Sequence, residues 1–149
     1  MNGKIVLCAL ILLIAVLISG CTTTTSQANT VAAAAGTPDL IGNWTGTMVG
    51  YEYGMGYTDF SGYTITMSVT EQNDRIFSGE IFFTNETGSP VWETAPCAGV
   101  IGRDGKTIRL IEYGGGSSSG TLIAPDEMEL VYSDGSDPFS IAINVLKRS

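Results

Sequence analysis

The chain has three cysteines, Cys8, Cys21 and Cys97, and no histidine. That combination removes most familiar site chemistry. A thiol nucleophile needs a base beside it, and Cys97 has no imidazole to call on. Zinc and haem sites lose their usual nitrogen donor for the same reason. Cys97 stands in Ala95-Pro96-Cys97-Ala98-Gly99, among small apolar residues, the setting of a buried core cysteine. Acid–base catalysis would need two carboxylates in a pocket with separated environments. Glu127 and Glu129 instead share one strand face, Glu80 shares a face with Ser78, and the other acids are scattered through turns. Asp134-Gly135-Ser136-Asp137 offers two carboxylates without the further regularly spaced acids of a calcium loop, so it reads as a solvated turn. These residues predict no enzyme, no metal and no cofactor. An ionisable group such as Glu80 or Tyr132 buried in a cavity would reverse that expectation.

Recognition chemistry has better candidates. The run Tyr51-Glu52-Tyr53-Gly54-Met55-Gly56-Tyr57-Thr58-Asp59-Phe60-Ser61-Gly62-Tyr63 is the densest aromatic stretch of the chain. Tyrosines present rigid contact area with a polar tip, and the glycines between them let a loop adapt. Tyr51, Tyr53, Tyr57, Tyr63 and Trp44 are therefore the candidate ligand-binding residues, against the plainer expectation that the loop folds its aromatics onto its own domain. Asn43-Trp44-Thr45 and Asn85-Glu86-Thr87 are glycosylation sequons, with Asn85, beside Gly88-Ser89-Pro90, expected to be the more accessible.

The N-terminus carries an address. Lys4 precedes the run Ile5–Ile18, 14 residues without a charge, and the small residues Ser19 and Gly20 follow. A short basic start, an apolar segment and small residues before a cut mark an export signal. A membrane-spanning helix needs about 20 apolar residues, so this run is short for one. Ile18-Ser19-Gly20-Cys21 resembles the lipobox of bacterial and many archaeal lipoproteins, with Ile18 where that family more often has Leu. The resemblance implies cleavage before Cys21 and a lipid on its thiol; an uncleaved signal-anchor is the alternative. Both place the remainder outside the cytoplasm, on the outer face of the cell membrane or within the envelope. Residues 1–20 are thus the expected signal-peptide helix. Residues 21–38, Thr- and Ala-rich and uncharged, are expected to form a disordered spacer. Beyond position 20 the chain has 15 acidic against 6 basic residues, a net charge of −9. Such a surface repels nucleic acid and anionic headgroups and leaves the lipid as the membrane attraction.

Residues 39–149 read as one all-β domain. Tyr63, Ile65, Met67 and Val69 alternate with Thr64, Thr66, Ser68 and Thr70, a half-buried strand. Similar strands are expected at Asn43–Tyr53, Phe77–Phe83, Ala98–Gly102, Thr107–Tyr113, Glu127–Tyr132 and Phe139–Val145, with a weaker one at Thr121–Ala124. Gly114–Gly120 reads as a flexible loop. About eight strands with Gly-rich turns and no helical crossovers imply a single antiparallel up-and-down barrel or sandwich. Parity puts Trp44, Met48, Tyr63, Ile65, Met67, Phe77, Ile81, Phe83, Leu122, Met128, Leu130, Tyr132, Phe139, Ile141 and Ile143 inside. Gly46, Gly50 and Gly79 share that parity, either leaving space or permitting the strands to coil.

Gly42-Asn43-Trp44 at the start of the first strand of an all-β domain resembles the lipocalin and avidin-like barrels, the calycin group. There the tryptophan plugs one barrel end beneath a cation from the last strand, a role the resemblance assigns to Lys147 or Arg148. An eight-stranded barrel is just wide enough to be filled by side chains or to enclose one small ligand. The expected function is non-catalytic binding of a small molecule or an envelope partner by a membrane-anchored lipoprotein. A structural, envelope-interacting protein with a filled barrel is the alternative, and a hydrolase stands third.

Overall fold

The computed structural model describes residues 36–149. The expected signal segment, the expected lipid site at Cys21 and most of the expected spacer lie outside the described residues. Nine strands follow one another: β1 Gly42–Glu52, β2 Gly56–Asp59, β3 Tyr63–Asn73, β4 Ile76–Asn85, β5 Ala95–Ile101, β6 Thr107–Glu112, β7 Ser117–Ala124, β8 Glu127–Asp134 and β9 Ser140–Arg148. Each of β3 to β9 pairs antiparallel with the next, and β1 pairs with both β3 and β9. The sheet therefore closes on itself as an eight-stranded barrel with β2 as an extra strand, and closure removes the unpaired edges an open sheet would expose.

The short β2 belongs to the aromatic stretch that reads as a loop. β1 is longer than its contact with β3: Gly42–Gly46 pair with β3, while Val49–Glu52 pair with β2. The Phe60 amide donates to the Met48 carbonyl at 3.2 Å, so β2 and β3 act as one interrupted strand with Phe60–Gly62 bulging between them. Gly114–Gly120 also departs from expectation. Its second half, Ser117–Gly120, is strand, held between Leu110 on β6 and Tyr132 on β8 through Ser118.

Antiparallel order sorts the inward residues into two ends. At one end Trp44, Phe77, Ile101, Ile108, Met128 and Leu146 are fully buried. Leu40 packs beneath them, its amide donating to Gln72 Oε1 at 2.7 Å while Gln72 Nε2 donates to the Pro38 carbonyl at 2.8 Å. The Trp44 indole N–H donates to the Leu40 carbonyl at 2.8 Å. The Arg148 guanidinium lies 4.3 Å from the centre of the Trp44 ring and donates to the Ile41 and Asp39 carbonyls. This is the plug that the resemblance implies, and it selects between the two cations: Lys147 is exposed and paired with Glu127 at 3.8 Å.

The glycine question is settled by distance. A Cβ at Gly46 would lie 1.8 Å from the Val145 carbonyl oxygen, and one at Gly79 would lie 2.0 Å from that of Ser68. These glycines allow adjacent strands to coil tightly against each other rather than holding space open.

Parity on β9 is inverted relative to the sequence expectation. Phe139, Ile141 and Ile143 are exposed, while Ala142, Asn144 and Leu146 are buried. The register requires it: Trp44 pairs with Arg148, Gly46 with Leu146 and Met48 with Asn144, so the even positions of β9 share the inward face of β1. Ile141 and Ile143 instead stand opposite Tyr51 and Val49 on the outer face. Tyr63, also assigned inward by parity, is exposed.

Candidate binding cavity

Beyond the packed end the interior opens into a cavity of about 260 Å³. Neither sequence expectation describes this barrel completely, since it is filled at one end and hollow at the other. Met48, Ile65, Met67, Ile81, Phe83 and Leu130 supply an apolar wall, and Glu112, Ser118, Tyr132 and Asn144 supply polar groups. Their positions follow from strand parity. Glu112 continues the inward series Ile108, Leu110 on β6, Ser118 precedes Gly120 and Leu122 on β7, and Tyr132 follows Met128 and Leu130 on β8. Glu112, Ser118 and Tyr132 each end such a series at the mouth side of the barrel, while Asn144 sits between Ala142 and Leu146 on β9.

The polar groups are partly committed to one another. The Ser118 hydroxyl donates to Glu112 Oε1 at 3.2 Å, and the Tyr132 hydroxyl donates to Asp134 Oδ2 at 3.4 Å. Asn144 is 3% exposed and its Oδ1 has no partner. An orphaned buried acceptor is rare enough to call for an explanation. Burial holds the Glu112 carboxyl above its ordinary value; the Ser118 hydrogen bond opposes the shift, and the charge of Asp134 adds to it. Burial, followed by the fields of Glu112 and Asp134, pushes the Tyr132 phenol up to about 12. Asp134 moves the other way because Ser136 hydrogen-bonds its carboxylate. Cys97 is buried on β5 opposite Glu112, where desolvation and then the charges of Glu112 and Glu80 push its thiol up to about 11. It is an inert core thiol.

Aromatic residues frame the mouth. Trp92 sits edge-on to Phe83 with ring centres 4.8 Å apart, and it meets Tyr63 at 5.4 Å and Phe60 at 6.2 Å. Phe60 and Trp92 line the cavity, and Tyr63 supports them from outside. Of the five residues proposed from sequence, Tyr51 is the one that borders the cavity, at its rim, while its ring turns outward to Phe139. Tyr51 and Tyr53 stack on Phe139, at 6.2 and 5.2 Å between ring centres, and Tyr57 is largely exposed. Trp44 lies in the plug at the other end. Sequence reasoning missed Glu112, Ser118 and Asn144; polar side chains at inward parity near one end of a strand were the signal available for the first two.

The remaining candidates have local roles. Asn85 Oδ1 accepts from the Thr87 amide and hydroxyl and the Ser89 amide, and its side chain is half-buried, whereas Asn43 is exposed. The accessibility order expected for the two sequons is thus reversed, because Asn85 folds back into its own turn. Asp134 likewise accepts from the Ser136 amide at 2.8 Å. Glu80 is exposed on β4, outside the cavity.

No family model matches the chain, and no curated protein matches it. Among solved structures, a redesigned β barrel matches with 16% identity and a TM-score of 0.50, over 74% of this chain and 91% of that one. At such identity the likeness shows the fold alone. A redesigned β barrel bound to DFHBI matches with 17% identity and a TM-score of 0.45, over 73% of this chain and 98% of its own. The isotype 1 transferrin binding protein B of serogroup B Neisseria meningitidis matches with 15% identity and a TM-score of 0.49, over 80% of this chain and 27% of that protein.

Proposed function

We propose that the chain is an exported lipoprotein of lipocalin-like type, held by lipid on Cys21 at the outer face of a cell membrane or within the envelope, whose barrel binds one small molecule without chemistry. The observation that carries the reading is the cavity: about 260 Å³, mostly apolar, with a few convergent polar groups, one of them an unpaired buried amide oxygen. Sites for small ligands have this composition.

Native mass spectrometry of the protein taken from its own host tests the reading. Retention of a non-covalent small molecule, lost when Ile65 or Leu130 is replaced by Trp to fill the cavity, is the expected result. An unliganded mass from every preparation, with no small molecule displaced on unfolding, would remove the ligand from the proposal. The anchor has a separate test: Cys21→Ser should release the protein from membranes or leave its precursor uncut, and unchanged mass and fractionation would overturn the lipid assignment.

The position of Glu112 and Tyr132 in the cavity supports a second, hydrolytic reading, since both are ionisable groups withdrawn from water. Paired-carboxylate chemistry would also require a second carboxylate with a different environment. Glu52 at the rim is the other carboxylate lining the cavity among the described residues. Turnover of a retained ligand that stops in both Glu112→Gln and Glu52→Gln would favour this reading over simple binding.

A further inference from the structure

The cavity's charge is one-sided. The Ser118 and Tyr132 hydroxyl protons are already directed at carboxylates, Glu112 and Asp134. Glu112 receives a side-chain donor from Ser118 alone. Among the described residues no lysine or arginine lines the cavity, whereas Glu52 and Glu112 both do. A carboxylate or phosphate brought inside would meet like charge and no counter-ion, at a heavy desolvation cost. A cation would meet acceptors, carboxylates and the faces of aromatic rings at the mouth.

We propose that the ligand is a small organic ammonium ion: an apolar or aromatic body bearing a protonated amine whose N–H groups are received by the Glu112 carboxylate. The inference rests on the binding function proposed above and specifies its ligand class. The volume sets the size of the body. A cavity of about 150 Å³ holds benzene, so about 260 Å³ admits a single ring with a short chain. Phe83, Ile81 and Met67 would enclose the ring, and the amine would face Glu112 on β6.

Three probes with nearly the same body separate the charges: 2-phenylethylamine, 2-phenylethanol and 3-phenylpropanoate, each titrated calorimetrically into the purified full chain near neutral pH. The amine should bind at least about tenfold tighter than the alcohol, the share of a charge-assisted hydrogen bond, and the carboxylate should not bind. In Glu112→Gln the amine should lose its advantage over the alcohol, with a single cooperative thermal transition reporting an intact barrel. Alcohol or carboxylate binding as tight as the amine, or an amine affinity indifferent to Glu112→Gln, would overturn the ammonium assignment and leave the binding function standing. Failure of all three probes to bind would likewise overturn the ammonium assignment, and the native mass measurement alone decides the binding function.

Discussion

Replacing Asn144 by Leu should make the protein more stable and less able to bind. The wild-type side chain is 3% exposed, on β9 between Leu130 of β8 and Met48 of β1, and its amide oxygen has no partner. A buried polar group left unsatisfied costs about 1–3 kcal/mol. Leucine has the same branching, carries no polar atom to satisfy, and has the adjoining cavity to accept its extra bulk, so overpacking should stay small. The net expectation is a gain of about 1–2 kcal/mol. In urea the midpoint should rise with an unchanged slope, which separates a stability change from a change in the surface exposed on unfolding. On heating, each kcal/mol should raise Tm by roughly 2–8 °C for a domain of this size. Affinity for an amine-bearing probe should fall in the same variant. A loss of 1 kcal/mol or more would refute the reasoning, because it would mean that the Asn144 amide makes a bond the fold depends on.

Three further outcomes follow from named contacts. Arg148→Lys keeps the charge above Trp44 but loses the fork that reaches the Ile41 and Asp39 carbonyls, so chemical unfolding should show a loss of about 1–3 kcal/mol; less than 0.5 would mean that the indole plugs the barrel unaided. Gly79→Ala and Gly120→Ala would put a Cβ 2.0 and 1.8 Å from a neighbouring carbonyl oxygen and should each cost about 3 kcal/mol or prevent folding, whereas Gly62→Ala, with its nearest contact at 4.0 Å, should change stability by less than about 0.5 kcal/mol in the same unfolding assay. Glu112 has a carboxyl raised by burial, so the folded state binds its proton more tightly than the unfolded chain and is penalised while the carboxylate is ionised. Glu112→Gln should therefore be the more stable at neutral pH, with the difference shrinking as pH falls through the raised folded value and levelling off below the ordinary glutamate value of about 4.3; a difference independent of pH in thermal melts would contradict this.

Much of the barrel is legible from period-two alternation, and the places where reading fails share a cause. β8 buries Met128 and Leu130 on either side of the exposed Glu129, and β3 alternates Ile65, Met67 and Val69 with Thr and Ser, so the pattern gives the face directly. β9 misleads because it runs beside the cavity. Its inward residues there are Ala142 and Asn144, small or polar, while Ile141 and Ile143 face out, and a hydrophobicity rule chooses the wrong side. The register that decides the matter is set by partners about 100 residues away, through Trp44 opposite Arg148. β7 is obscured similarly, since Ser117-Ser118-Ser119-Gly120 looks like a linker yet supplies a buried hydroxyl to the site. Local pattern and fold disagree where side chains were shaped around a cavity, as is expected of functional regions. The aromatic stretch was conspicuous in sequence because tyrosines are, but most of its rings pack on the outside of the barrel or at its rim.

The seal around Trp44 also fixes where the polypeptide can be gripped. Leu40 threads in beneath the indole, the Ser149 amide donates to the Asn43 carbonyl at 3.0 Å, and the Arg148 amide donates to the Asp126 carbonyl at 2.9 Å. Both ends of the described chain thus leave from the plugged base, and Glu52, Trp92 and Ser140 stand at the opposite rim. A load applied ahead of Thr37 or after Ser149, whether a lipid tether, a fused protein or a sensor chip, would hold the barrel by its base like a cup and leave its opening unobstructed.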